Sequence, residues 1–204
     1  NNSSKADSNK WYTFIWTSAI ANSVLVDKSP EVNIISFLNT LGNYIDNQNA
    51  INPGRYRLIE VNSTPAMDKH FDPTNAIWLN EKKYYLSNII MNGSSKDAQP
   101  FYSFNLGESV NFEITELIIE SNIPRCKDGK RQFPDIVRIE GITCQNQITK
   151  PVYEKIKYGD EGKCSANLHF DSPISQIKIT MIGEERNGGN FLRIKFIDAK
   201  GHFI

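Results

Sequence analysis

The chain has 204 residues, balances 23 Lys and Arg against 23 Asp and Glu, and carries a formal charge of +0 at neutral pH. That length suits one large domain, or a domain with an appendage, that folds by burying its own apolar surface. A balanced charge argues against electrostatic capture of nucleic acid or anionic membrane, and no run of about 18 apolar residues offers a membrane span.

Residues 1–10 are polar and rich in Asn and Ser, and are expected to form a disordered tail. With no initiating Met and no apolar signal core, they read as a mature or trimmed N-terminus. Trp11–Thr17 is aromatic and β-branched and reads as a strand. Ser29 as N-cap, Pro30 at the first helical position and Glu31 near the positive dipole end open a helix over Glu31–Asp46. Ile34, Ile35, Phe37, Leu38, Leu41 and Ile45 recur on it at helical spacing. Tyr56–Val61 is the next strand, so residues 11–74 read as a strand–helix–strand α/β element.

From residue 75 to 204 the pattern is strands alone. They are expected at Ala76–Leu79, Lys83–Met91, Phe101–Leu106, Val110–Glu120, Ile136–Thr143, Val152–Lys157 and Ala166–Phe170. Turn signals separate them at intervals of about ten residues. Ile177–Met181 and Phe191–Ile197 alternate apolar with polar around Asn187-Gly188-Gly189, which predicts a long hairpin with Ile177, Ile179, Met181, Leu192, Ile194 and Phe196 facing the core. The fold class is therefore mainly β: an antiparallel β-sandwich preceded by the strand–helix–strand element. The pattern is similar to jelly-roll sandwiches of the galactose-binding-like kind, a likeness of strand spacing that no motif carries.

Cys126, Cys144 and Cys164 lack Cys-x-x-Cys or zinc-type His spacing, so a structural zinc is not expected. Their spacing fits one disulfide with a thiol left over, drawn as Cys126–Cys144 or Cys144–Cys164, and such a bridge implies an oxidising compartment.

On an extended chain Asp68, His70 and Asp72 would share a face and could hold zinc or calcium. Asp160, between Gly159 and Gly162, suits a structural calcium, and no other cofactor is implied. Glu116 falls between Ile114 and Ile118 on one strand face, where an unpaired carboxylate is costly. It is either a catalytic acid or base of a glycosidase-like cleft, or it is turned outward by a bulge or paired with Arg138. Trp78, Tyr84, Tyr85 and Tyr102, beside Asn75 and Asn80, offer aromatic faces and amides suited to stacking on a sugar ring. Asn1, Asn2, Asn62 and Asn92 each begin an Asn-x-Ser/Thr triplet. No phosphate-binding glycine loop, Gly-x-Ser-x-Gly or His-Glu-x-x-His occurs.

These features favour a secreted, periplasmic or cell-surface binding module whose partner is a glycan or a protein. The alternatives are an extracellular polysaccharide-active hydrolase or lyase, and a structural component of an envelope or secretion assembly.

Overall fold

The fold comes from a computed structural model that describes residues 30–40, 59–78, 83–88, 99–106, 111–121, 136–157, 162–182 and 191–204. Its strands are β1 (Val32–Asn33), β2 (Glu60–Ser63), β3 (Tyr85–Leu86), β4 (Phe101–Asn105), β5 (Phe112–Glu120), β6 (Ile136–Ile142), β7 (Tyr153–Lys157), β8 (Lys163–Asn167), β9 (Gln176–Met181), β10 (Arg193–Ile194) and β11 (Phe196–Phe203). Two 3-10 turns, η1 (Lys69–Phe71) and η2 (Pro73–Ala76), and a helix α1 over residues 34–40 complete it.

The strands form a four-stranded sheet, β1-β11-β5-β8, a five-stranded sheet, β2-β4-β9-β6-β7, and the small pair β10-β3. All pairings are antiparallel. Alternate residues of each main sheet are buried in one shared core: Ile114, Leu117, Ile119, Ile197 and Ala199 from the first, and Tyr102, Phe104, Ile139, Ile177 and Ile179 from the second. Each fully buried Ile or Leu contributes about 1.5–3 kcal/mol of hydrophobic stabilisation. The antiparallel sandwich read from strand spacing is the observed fold.

The predicted closing hairpin is not formed. β9 lies between β4 and β6 in one sheet, while β11 lies between β1 and β5 in the other. Ile177, Ile179 and Met181 point inward as expected. In the second segment Leu192, Arg193 and Ile194 are all buried, and Phe196, expected in the core, is half-buried while Ile197 takes the core position. Sequence alternation in any case specifies which side of a strand is apolar and says nothing of its neighbour.

The helix also begins later than expected. Val32 and Asn33 pair with Gly201 and Lys200 of β11 as an edge strand, and helical geometry starts only at residue 34. Ser29 lies outside the described residues. The cap comes from another strand: Asp198 of β11 accepts from the backbone N of Ile35 at 3.2 Å and from the hydroxyl of Ser36 at 2.6 Å. This is an N-cap supplied in trans, a carboxylate at the positive end of the helix dipole. Ile34, Ile35 and Leu38 are buried on the core side, and Phe37 packs on Phe203 with ring centroids 5.8 Å apart. With β1 on one sheet edge and β2 on the edge of the other, the described part of residues 11–74 is woven into both layers.

Of Ala76–Leu79, predicted as a strand, Ala76 instead ends the 3-10 turn that Asp72-Pro73 opens, Ile77 and Trp78 follow as turn and bend, and Leu79 lies outside the described residues. The strand expected at Trp11–Thr17 lies outside the described residues.

Cys144 and Cys164 are free thiols, so neither drawn bridge is made; Cys126 lies outside the described residues. Cys164 points into the core from β8, and burial pushes its thiol from the ordinary 9.0 to about 11. A pKa raised on folding means stability that is complete below pH 9 and is lost as pH climbs from 9 to 11. We therefore predict an alkaline loss of at most about 1.4 kcal/mol per pH unit from this thiol. Urea unfolding between pH 9 and 11 should show that slope in the natural chain and a flatter one in Cys164→Ala.

Candidate functional site

The site is built from the segment between β2 and β3. Asp68 and Asp72 each cap a 3-10 turn: Asp68 Oδ1 accepts from His70 N at 2.7 Å, and Asp72 Oδ1 accepts from Thr74 N at 2.8 Å. The chain here is therefore coiled and not extended, so Asp68, His70 and Asp72 do not converge on one face as a metal site requires. Among the described residues no group of three or more His, Cys, Asp or Glu is placed to hold a metal ion. Asp160 lies outside the described residues.

Two of the expected sugar-stacking rings lie beneath this segment. Tyr85 and Tyr102 are fully buried, 5.3 Å apart between centroids. Tyr85 Oη donates to the carbonyl of Thr64 at 2.7 Å, and Tyr102 Oη donates to that of Pro73 at 3.0 Å. Burial raises Tyr85 to about 12 and Tyr102 well above its ordinary value, so both phenols keep the proton they donate. Expected as ligand contacts, the two rings are instead buried beneath the segment and hold its backbone at Thr64 and Pro73.

On this base stands Tyr84, half-buried, with its ring 5.0 Å from that of Phe71. The guanidinium of Arg193 lies 5.7 Å from the Tyr84 ring centre and 5.6 Å from that of Phe191, so a buried cation is held by two aromatic faces. Asn75 Nδ2 donates to the carbonyls of His70 at 3.0 Å and Tyr84 at 3.2 Å, tying the turns to the strand that carries the ring. Trp78 and Met67 are exposed on the same segment. Asn39 of α1 donates to Ile77 O at 2.6 Å and anchors the residue before Trp78.

His70 is an exposed polar group on this segment. Its Nδ1 lies 3.0 Å from Asp68 Oδ1, and its side chain is 75% exposed. The Asp68 carboxyl is held below its usual range, first by the backbone N–H of His70. An ionised carboxylate only accepts, so Nδ1 carries the proton and neutral His70 presents Nε2 as an acceptor.

The structure thus brings Asn75, Tyr84, His70, Asp68 and Trp78 onto one short segment and its neighbouring strand, while Asn80 lies outside the described residues. Phe71, Phe191 and Arg193 were not singled out from the sequence. The available signal was Arg193 itself: a charge between Leu192 and Ile194 in an apolar strand needs a partner that stabilises it.

Glu116 sits elsewhere, on the outer face of the four-stranded sheet. The β5–β11 register slips between Lys200 and Gly201, so Lys200 faces Glu116 while Gly201 faces Ile114, and Thr115 is the extra residue. The bulge changes the phase of β5, allowing both Ile114 and Leu117 to point inward and turning Glu116 outward. There Glu116 accepts from Ser165 Oγ and pairs with Lys200 Nζ at 3.2 Å. Ser165 first, and Lys200 next, hold its carboxyl below the usual range, opposite to the raised pKa of a general acid. Arg138 pairs with Glu154 at 3.2 Å.

No family model and no curated protein matches the chain. Solved structures do. Chitosan-binding module 1 of a chitosanase/glucanase from Paenibacillus sp. IK-5 superposes with a TM-score of 0.52 at 8% identity, over 70% of this chain and 94% of that one. A fucose-binding module of Streptococcus pneumoniae gives 0.51 at 10% identity, over 69% and 89%. A CBM32 module from Clostridium perfringens, in complex with GalNAc-β-1,3-galactose, gives 0.50 at 11% identity, over 69% and 94%. At these identities the likeness establishes the architecture: the chain is an antiparallel β-sandwich of the kind found in these modules.

Proposed function

We propose that the chain is a glycan-binding module acting outside the cytoplasm, with its ligand at the turn segment of residues 67–78 and Tyr84. The observation that carries this reading is the Tyr84 ring, fixed by Phe71 and Arg193 and tied by Asn75 to turns that present Trp78 and His70. A sugar ring offers an apolar C–H face and a rim of hydroxyls; the aromatic rings take the first, and His70 Nε2 accepts a hydrogen bond from a hydroxyl. Because this fold carries many functions, the architecture shared with glycan-binding modules supports the reading without choosing the sugar. With Cys144 and Cys164 free, the extracellular location rests on the ligand class and not on a disulfide.

A glycan array followed by calorimetry tests it. The expected affinity lies between about 1 μM and 1 mM, or about −8 to −4 kcal/mol. Tyr84→Ala and Trp78→Ala should each weaken binding about tenfold or more, while Glu116→Gln leaves it unchanged. No binding to any glycan at millimolar concentration, or binding that survives both aromatic substitutions, defeats the proposal.

A further inference from the structure

We propose that Asn62 is an acceptor for an N-linked glycan. The inference rests on the extracellular reading above for its biological setting, but its chemistry is tested independently of it. Asn62-Ser63-Thr64 is an Asn-x-Thr triplet, and Asn62 is exposed on β2. Among the described residues β2 is the edge of the five-stranded sheet, with β4 on its inner side. An open edge is a liability for pairing with other chains, and a bulky hydrophilic group beside it is a means of protection.

The same triplet is locked once folded. Thr64 is buried, and its Oγ1 accepts from the backbone N of Phe101 at 2.9 Å. Ser103 Oγ donates to the carbonyl of Asn62 at 3.2 Å, and Asn62 stands in register with Ser103. The hydroxyl that an acceptor triplet presents to its transferase is thus engaged by the sheet, so modification precedes folding, and the finished strand keeps the Asn62 side chain exposed. In the transfer, Asn62 Nδ2 bonds to the anomeric carbon of a lipid-diphosphate-linked oligosaccharide. The bond from that carbon to the diphosphate oxygen breaks, its electron pair leaves with the diphosphate, and the amide proton passes to the transferase base.

The test is translation of the full chain behind a supplied cleavable signal, with microsomes present, followed by peptide N-glycosidase digestion in heavy-oxygen water and peptide mass mapping. The expected result is heavy Asp at position 62, a slower-migrating band that digestion collapses, and loss of that site in Asn62→Gln and in Thr64→Val. Folded, purified chain given to detergent-opened microsomes should be modified at least tenfold less at Asn62. Occupancy of other triplets with position 62 bare, or no occupancy in a lysate that modifies a control protein, overturns the proposal. Equal modification of folded and nascent chain overturns the ordering.

Discussion

Gly201→Ala is expected to destabilise the protein by about 3 kcal/mol or more, the range of a serious steric conflict in a packed interior. A methyl group there would fall inside the contact distance of the Glu113 carbonyl oxygen and press on the Ile114 backbone. Neither neighbour is the end of a flexible side chain, so relief requires β5 and β11 to separate where their register slips. Among the described glycines only Gly162 has a positive φ, so the cost at Gly201 is steric and not one of backbone conformation. Losing the bulge would also rotate Glu116 towards the side occupied by Ile114 and break its links to Ser165 and Lys200. Urea unfolding measures the loss; a change below about 0.5 kcal/mol, the scale of an ordinary surface substitution, would mean that the two strands do not approach this closely.

Asp198→Ala is the second large effect, at about 3 kcal/mol, from a lost cap and donors left without an acceptor in a buried site. Asp198 is 5% exposed and accepts from Ile35 N, Ser36 Oγ and its neighbour Ala199 N, the last at 2.8 Å. The expected sequel is loosening of α1, visible as faster amide exchange at Ile35 and Ser36 than in β6. Asp198→Asn keeps one carbonyl oxygen and should cost about 1 kcal/mol, the scale of one hydrogen bond. If Ala and Asn are equally mild, the helix is held by Ile34, Ile35 and Leu38 alone.

The legible part of the fold was the part written as local periodicity. β4, β5, β6, β7 and β9 fall within a few residues of their expected spans because apolar residues two apart mark a half-buried strand. Partner choice was not legible, as β9 and β11 show: the same alternation serves a hairpin or two separate layers. The helix start was misread for a related reason. Ser29-Pro30-Glu31 is a sound local opening, but β11 offers Val32 and Asn33 strand partners and supplies the cap from 163 residues downstream of Ile35. At the site, Tyr84, Trp78 and Asn75 were visible as residue types. What separated Tyr84 from its neighbour Tyr85 was burial set by the tertiary fold: Tyr84 precedes the two-residue β3 and is half-buried, whereas Tyr85 lies in it and is fully buried. Glu116 was legible as a conflict, a charge among isoleucines, and the bulge at Thr115 is the resolution.

The placement of β11 sets an order of events during biosynthesis. This strand, residues 196–203, lies in the interior of its sheet between β1 and β5, so that layer has no middle until residue 203 has left the ribosome. Ribosomes add about 5–20 residues per second, so Asn62 emerges some tens of seconds at most, and roughly 7 s at least, before the layer can close. β2 and β4 lie in the other sheet, whose strands fall within residues 60–181, but the apolar face of that sheet has no complete second layer to cover it until β11 is in place. The nascent polypeptide therefore waits, open, for β11, and any enzyme or chaperone that needs it unfolded has that interval in which to act.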